Sequence, residues 1–198
     1  MRESNSQQWF WRPLLYHLTN PLYEINLIHV FYIIAYSFFY YNNTYYFFSY
    51  FIIVGDYMLV KYNDKELDLL ARLMRSESVG EGDLGMLMVG NVAVNRTIAN
   101  CLTFADNRTI TDTIYQSPGG FAGINSPLFY SSSTTKEKGL AKRVLSGEYY
   151  YPATNALWFY APSENSECVP LWYEQRLSGR YKSHCFYIPY QSVCDEIH

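Results

Sequence analysis

The sequence feature that most constrains the fold is the segment 83–98, which is apolar nearly all the way round a helix. Its leucine, methionine, valine and alanine residues leave no continuous polar face. A helix of this kind has to be covered on all sides by other parts of the chain. The segment therefore predicts a domain packed around one buried helix. A composition of 49% hydrophobic and 17% charged residues also excludes intrinsic disorder.

An amphipathic helix is predicted immediately before this segment. Asp64 is a suitable N-cap, and the glycines from residue 80 onward end the helix by about Val79. Apolar residues recur with the spacing of one helix face. This apolar stripe consists of Leu67, Leu70, Ala71 and Met74.

Two carboxylates continue the apolar stripe at 100° per residue, namely Glu77 and Glu81. Burying a carboxylate is costly unless it is paired or neutralised. Glu77 is therefore predicted to be a general acid, whose pKa an apolar cleft would raise. The alternative is a helix-end glutamate that is capped by backbone amides or paired with Arg75 or Arg96. Glu81 is either a second carboxylate for glycoside chemistry or a solvated turn residue, and the residues alone favour the turn residue.

The remaining elements predict an α+β domain, because helices come first and strands later. Thr109–Tyr115 is a short helix or a strand, and Thr134–Ser146 is a helix with one polar face. The glycine-rich loop Gln116–Ile124 lacks the lysine of a phosphate-binding loop, which excludes nucleotide binding. Residues 149–198 predict short aromatic strands that line a groove. Their Trp and Tyr residues fit carbohydrate binding or, alternatively, a tyrosine-rich core.

The four cysteines, Cys101, Cys168, Cys185 and Cys194, match no zinc-binding spacing, so we predict no metal site. Two disulfides and four buried free thiols are both compatible with the sequence. His184 precedes Cys185, but neighbouring residues on a strand point to opposite faces. The two therefore do not form a nucleophile–base pair with each other.

The composition changes abruptly near residue 60, which predicts a hydrophobic segment 1–60 and a domain 61–198. The first 60 residues contain five charged side chains, and none lies between Glu24 and Asp56. Three interpretations stay open: a membrane or interfacial segment within residues 25–55, a mis-assigned start with Met58 as the true first residue, or a packed part of the domain. A net charge of -3 argues against nucleic-acid binding.

Four stretches of the domain occur in the order and spacing of a known family. They are ARLMRSESVGEGDLGMLMVGNVAVNR (71–96), TITDTIYQSPGGF (109–121), NALWFYAP (155–162) and RYKSHCFY (180–187). Together they resemble the SleB/CwlJ family of spore cortex-lytic cell wall hydrolases, and within it the CwlJ branch. The chain departs from the family pattern at Ser76, where alanine is usual, and in a slightly longer loop before Phe121.

The resemblance implies a lysozyme-like helical core with short β-strands in the C-terminal part. It implies cleavage of the peptidoglycan glycan strand of the spore cortex in germination, by hydrolysis or by lytic transglycosylation, without a cofactor. Glu77 falls on the catalytic glutamate of the family. The residues predicted to bind substrate are Glu81, Asn95, Arg96, Gln116, Phe121 and His184 from the resemblance, and Tyr160 from the aromatic strands.

The resemblance also implies a location at the boundary of spore coat and cortex, with a coat protein as partner. Two other functions stay open. One is a non-catalytic protein that binds peptidoglycan or assembles the coat. The other is a thiol-dependent amidase or peptidase that uses Cys185.

Overall fold

The computed structural model describes residues 34–41, 44–51, 58–194 and 197. The chain divides into two units, 1–56 and 57–198. In the first unit, β1 (Ile34–Tyr41) pairs antiparallel with β2 (Thr44–Phe51). The region considered as a membrane segment thus contains two strands, and the rest of residues 25–55 lies outside the described residues. Among the described helices, none combines the length and the apolar character that a membrane crossing requires.

The second unit begins with α1 (Asp64–Glu77), whose N-cap is Asn63 and not Asp64 as predicted. The Asn63 side chain accepts hydrogen bonds from the backbone N–H groups of Lys65 and Glu66. The Glu66 carboxylate in turn accepts one from the backbone N–H of Asn63, at 3.2 Å. This reciprocal capping box fixes where α1 begins. The predicted apolar stripe is buried.

The next helix, α2 (Gly82–Ile98), is the buried central helix that the sequence predicts. It packs against α1, α3 (Ile110–Ile114) and α4 (Thr135–Leu145). Gly90 permits the closest approach, since a Cβ there would lie 2.9 Å from Val144 Cγ2 and 3.1 Å from Met74 Sδ. The absence of a side chain at this position lets three helices share one core.

The strands after α4 form an antiparallel sheet in the order β3-β6-β5-β4. Its members are β3 (Trp158–Tyr160), β4 (Leu171–Trp172), β5 (Gln175–Tyr181) and β6 (His184–Ile188). In β6, the residues from His184 to Tyr187 are buried. Helices followed by a small sheet confirm the α+β prediction.

Both pairs of cysteines form disulfides, which decides between the two alternatives left by the sequence. Cys101 bonds to Cys194, and Cys168 bonds to Cys185. The thiol-nucleophile hypothesis is therefore wrong, because the sulfur of Cys185 is already bonded.

Candidate active site

A cavity of about 310 Å³ lies where the end of α1, the end of α2 and the strands β3 and β6 meet. Its polar side chains come from three different elements, and its remaining wall is largely aromatic. The lining residues are Glu77, Arg96, Gly120, Phe121, Ala122, Phe159, Tyr160, Ala161 and His184.

Glu77 is the last residue of α1 and lies half-buried in the cavity wall. Its Oε1 accepts a hydrogen bond from the backbone N–H of Gly123, in the 3₁₀ turn Ala122–Asn125. A Cβ at Gly123 would lie 2.6 Å from Ser76 Oγ and 2.9 Å from Glu77 Oε1. The close contact between this turn and the carboxylate therefore requires glycine at position 123.

Burial raises the pKa of Glu77 above its ordinary value of 4.5. The hydrogen bond from Gly123 and the positive charge of Arg96 both act in the opposite direction, and burial outweighs them. The cavity thus favours a Glu77 side chain that keeps its proton to higher pH than an exposed glutamate does.

Arg96 supplies a positive charge to the same cavity, although its side chain is almost entirely buried. Its Nε donates to the carbonyl oxygen of Leu157 at 2.7 Å, and its Nη1 donates to that of Gly119 at 3.2 Å. The guanidinium lies over the ring of Phe121, 4.3 Å from its centroid. Burial lowers the pKa of Arg96 to about 10. The group is therefore still charged at neutral pH.

Arg75 does not pair with Glu77, which removes one of the alternatives that the sequence allowed. Its Nη1 lies 3.2 Å from Glu137 Oε2. The same guanidinium donates to the carbonyl oxygens of Leu128 and Ser131. Arg75 therefore fastens residues 128–131 to α1 and does not contact the Glu77 carboxylate.

Glu81 is neither a solvated turn residue nor part of the cavity wall, since only 4% of it is exposed. Its Oε1 accepts a hydrogen bond from the hydroxyl of Ser183. Its backbone carbonyl accepts one from Nζ of Lys182, at 2.5 Å. Both contacts come from the turn between β5 and β6. Glu81 therefore joins this turn to the start of α2, and its predicted contact with substrate stays a prediction.

His184 connects Glu81 to the cavity. The His184 Nδ1 atom lies 4.0 Å from Glu81 Oε1, while the imidazole lines the cavity and packs edge-on against Phe159. Burial lowers the pKa of His184 below 6.5, and the nearby Glu81 charge only partly offsets this. The imidazole is therefore neutral at neutral pH, with one N–H donor and one acceptor nitrogen.

Asn95 and Gln116, which the resemblance assigns to substrate binding, lie outside the set of residues that line the cavity. Gln116 Nε2 donates to the Thr103 carbonyl oxygen at 2.9 Å, and its Oε1 accepts from Asn107 at 3.0 Å. The Asn95 amide is buried and donates to the three backbone carbonyls of Ala153, Thr154 and Ala156. Both side chains hold the segments that carry the lining residues, and their binding of substrate stays a prediction.

Phe121 and Tyr160 line the cavity together with Glu77, Arg96 and His184, and their binding of substrate stays a prediction. Sequence reasoning missed Phe159 and Gly123. The aromatic strand pattern pointed to Phe159 but did not distinguish it from Tyr160, whereas nothing local marks Gly123 as the partner of Glu77. In the described part of the chain, no three His, Cys, Asp or Glu side chains cluster as metal ligands would.

Comparison with known protein families matches residues 80–187 to a model described as Cell Wall Hydrolase. A cell wall hydrolase CwlJ from Oceanobacillus iheyensis is 52% identical over 139 residues, which cover 70% of this chain and 97% of that protein. A protein of the same name from Bacillus subtilis is 41% identical over 140 residues, covering 71% of this chain and 96% of that protein. The family match begins three residues after Glu77 and includes Arg96, Phe121 and His184.

Two solved structures share the fold. The catalytic domain of the Bacillus cereus SleB protein superposes with a TM-score of 0.52 at 21% identity, over 65% of this chain and 95% of that one. The catalytic domain of the germination-specific lytic transglycosylase SleB from Bacillus anthracis gives 0.51 at 22% identity, over 64% and 96%. At these identities the likeness is one of fold.

Proposed function

The chain belongs to the cell wall hydrolase family, and from this premise we propose that it cleaves the glycan strand of spore-cortex peptidoglycan during germination. Glu77 is the proposed general acid and base. The family establishes an enzyme that acts on the cell wall, and the name of the Bacillus anthracis neighbour supports germination as the occasion.

The observation that carries the assignment of Glu77 is a carboxyl whose pKa is raised by burial in the wall of a cavity lined by aromatic side chains. A general acid has to hold its proton when the substrate binds. Raising a carboxyl pKa by enclosure in apolar surroundings is how glycosidases meet this requirement. Phe121, Phe159 and Tyr160 provide these surroundings.

In the proposed reaction, Glu77 donates its proton to the glycosidic oxygen that follows a muramic acid residue. The bond from C1 to that oxygen breaks, and the sugar retains an oxocarbenium-like positive charge. The glutamate is then a carboxylate, which Arg96 and the Gly123 N–H stabilise. It takes a proton from the nucleophile as that group attacks C1, and this step regenerates the acid.

We propose that the nucleophile is the C6 hydroxyl of the same muramic residue, which makes the reaction a lytic transglycosylation. Glycosidases that use water generally place two carboxylates on either side of the bond. Among the described lining residues, Glu77 supplies the one carboxylate of this cavity. Glu81, the predicted second carboxylate, is held by Ser183 away from the wall. The expected product therefore carries a 1,6-anhydro end.

We propose further that the protein acts at the boundary of spore coat and cortex with a coat protein as its partner. This rests on the resemblance to the CwlJ branch. Fractionation of spores, with detection of the tagged full chain, tests the location. Membrane contact by residues 25–55 is a separate prediction, which co-sedimentation of the full chain with vesicles tests.

The experiment that tests the function is mass spectrometry of fragments released from purified cortex by the wild type and by Glu77→Gln. We expect wild-type fragments with anhydro ends, one water lighter than hydrolysed fragments. The variant should lose about 10²–10⁴-fold in rate, the contribution typical of a general acid–base group. Glu148→Gln is the matched control, because Glu148 is a half-buried glutamate that lies beyond the end of α4 and outside the cavity.

Two results would overturn the proposal. Undiminished release of fragments by Glu77→Gln would remove Glu77 from its role. A wild type that binds cortex without producing new ends would instead identify a non-catalytic peptidoglycan-binding protein.

A further inference from the structure

The guanidinium of Arg96 is a buried positive charge in the wall of the Glu77 cavity. Arg96 is 5% exposed, and among the described residues no carboxylate forms an ion pair with it. Removing a charge from water is costly unless hydrogen bonds and an opposite charge compensate for the lost hydration. The described part of the protein therefore gives Arg96 hydrogen bonds but not a paired counter-charge.

The position of the guanidinium is fixed by two kinds of contact. Its Nε and Nη1 atoms donate to the carbonyl oxygens of Leu157 and Gly119. Its plane also lies over two aromatic rings, 5.0 Å from the centroid of Phe104 and 4.3 Å from that of Phe121. A side chain held in this way loses little conformational freedom when it binds a ligand.

The Nη2 group of Arg96 remains for a ligand. A guanidinium has five N–H donors, and the bonds to Leu157 and Gly119 use Nε and Nη1. Nη2 has no hydrogen-bonding partner within the part of the chain that the structure describes. The described side-chain atoms that are both buried and unpartnered are Arg75 Nε and Glu81 Oε2, so Nη2 is in contact with solvent. Because Arg96 lines the cavity, this donor can bind a molecule that enters it.

The charges around the cavity favour an anion beside Arg96. Burial favours the protonated form of Glu77 and the neutral form of His184, whereas Arg96 stays charged at neutral pH. Glu81 Oε1 lies 4.0 Å from His184 Nδ1, so an anion beside His184 would meet a like charge. In a cavity with aromatic walls these interactions are screened less than in water. Of the described lining residues, Arg96 is therefore the one that can hold a negatively charged group.

We propose that Arg96 is an anion subsite of the active site, which binds a carboxylate on the lactyl arm of the muramic residue whose bond Glu77 cleaves. Arginine binds carboxylates through charge-assisted hydrogen bonds, which are stronger than those between neutral groups. The inference rests on the proposed function and adds to it the selection of a muramic residue over N-acetylglucosamine, which lacks the lactyl arm.

A carboxylate bound at Arg96 would also act on Glu77. The Arg96 charge lowers the pKa of Glu77, and a bound anion would offset that charge. The pKa of Glu77 should therefore rise when the muramic residue binds. A general acid has to keep its proton until the glycosidic bond breaks, so this change favours catalysis.

The first test measures affinity by calorimetry with the full chain carrying Glu77→Gln, so that the ligand is not cleaved. The ligands are a tetrasaccharide of alternating N-acetylglucosamine and N-acetylmuramic acid with free lactyl carboxylates, and the same oligomer with these converted to methyl amides. The free acid should bind at least about tenfold more tightly, the effect of one charge-assisted hydrogen bond. Adding Arg96→Gln should bring the ratio of the two affinities to about one.

Arg176→Gln is the matched control for Arg96→Gln. Arg176 also lies over an aromatic ring, 5.0 Å from the centroid of Tyr190, but it is exposed and outside the cavity. Adding Arg176→Gln should leave the ratio of the two affinities unchanged.

The second test leaves Arg96 intact, and so does not depend on how its substitution affects folding. Wild-type protein is saturated with N-acetylmuramic acid, a monosaccharide without a glycosidic bond to cleave, or with its methyl amide. The pKa of Glu77, followed by ¹³C NMR of its carboxyl carbon, should be higher with the acid than with the amide.

Three results would overturn the subsite. Equal affinities for acid and amide, in a protein whose wild type cleaves cortex glycan, would remove the subsite and leave the proposed function standing. A preference for the acid that persists in Arg96→Gln would assign the carboxylate to another group. A wild type that neither binds nor cleaves glycan would overturn both the subsite and the proposed function.

Discussion

The Glu77 carboxylate accepts a hydrogen bond from the Gly123 backbone N–H at the wall of the proposed active site. The bond stabilises the ionised carboxylate, whereas burial of Glu77 favours the protonated form. The residue can therefore reach both states, as an acid that later acts as a base requires. Substitutions at and around this pair separate the two influences.

Gly123→Ala should reduce activity strongly without unfolding the protein. The added methyl group would lie 2.6 Å from Ser76 Oγ and 2.9 Å from Glu77 Oε1, so the turn or the carboxylate has to move. A small misplacement of a catalytic group can cost about 10²-fold in rate. Turnover of cortex, measured beside thermal unfolding, checks this prediction. Gly139→Ala is the control, since a Cβ there meets nothing within 4 Å. Full activity in Gly123→Ala would show that the contact does not position Glu77.

The free energy of unfolding of Glu77→Gln relative to that of the wild type should increase as the pH rises above about 4.5. The folded pKa of Glu77 is raised, so the unfolded state releases this proton first. The wild type then loses stability as the pH rises through the folded pKa, whereas glutamine has no proton to lose. Urea unfolding over a series of pH values measures the difference.

Glu148→Gln is the control for this stability measurement, because hydrogen bonds from Arg143 and Tyr150 lower the pKa of Glu148 to about 2. The difference in free energy of unfolding between Glu148→Gln and the wild type should stay constant above about pH 4.5. If the difference in free energy of unfolding between Glu77→Gln and the wild type also stays constant with pH, the pKa of Glu77 is not raised.

Arg96→Gln should shift the alkaline limb of the activity profile to higher pH. The Arg96 charge lowers the pKa of Glu77, so its removal lets that pKa rise. Arg96→Lys keeps the charge and should keep the limb in place. Both variants lose hydrogen bonds to the carbonyl oxygens of Leu157 or Gly119. Each lost bond should lower the free energy of unfolding by about 1.5–3 kcal/mol, because the donor is charged. Identical pH profiles in the two variants would contradict an electrostatic coupling between Arg96 and Glu77.

Glu81→Gln should lower the pKa of His184 further, because the Glu81 charge is the influence that raises it. Titration of the imidazole by NMR measures the change. Ser183→Ala removes a hydrogen bond to Glu81 but leaves its charge, and so should have a smaller effect. If the pKa of His184 is the same in Glu81→Gln and the wild type, the two side chains are not coupled.

Removal of either disulfide should destabilise the protein, and removal of Cys101–Cys194 should cost more. This bond spans 93 residues and Cys168–Cys185 spans 17. Loop-closure entropy gives about 4.5 kcal/mol for the longer loop and about 3 kcal/mol for the shorter one. Urea unfolding of the two paired Cys→Ala variants checks the order.

Iodoacetamide should leave the activity of the oxidised protein unchanged, because both pairs of cysteines are bonded. Inhibition by iodoacetamide would contradict this and would favour a thiol mechanism.

Periodicity in the sequence was sufficient to predict α1, α2 and α4, because an apolar face repeats along each helix or surrounds it. The sequence alone does not distinguish Asn63 from Asp64 as the N-cap of α1 by residue type, since both are suitable caps. Glu66, three residues after Asn63, was the signal that distinguishes them. The disulfide pairing was not predictable, because four cysteines allow three pairings and spacing does not choose among them.

Glu77 was predictable as a site residue, because both its residue type and the helix face on which it lies can be read from the sequence. It was not predictable where a distant segment supplies the surroundings. Glu81 is buried by Lys182 and Ser183, about one hundred positions away in the chain. Gly123 likewise reaches Glu77 across 46 positions. No local pattern encodes such contacts, which depend on how the helices and the sheet pack.

The most direct test of the central claim is the titration of the Glu77 carboxyl carbon by ¹³C NMR, set beside the pH dependence of cortex cleavage. The account predicts a pKa for Glu77 above its ordinary 4.5 that coincides with the alkaline limb of activity. A pKa at or below the ordinary value, or a limb that does not follow it, would contradict the account.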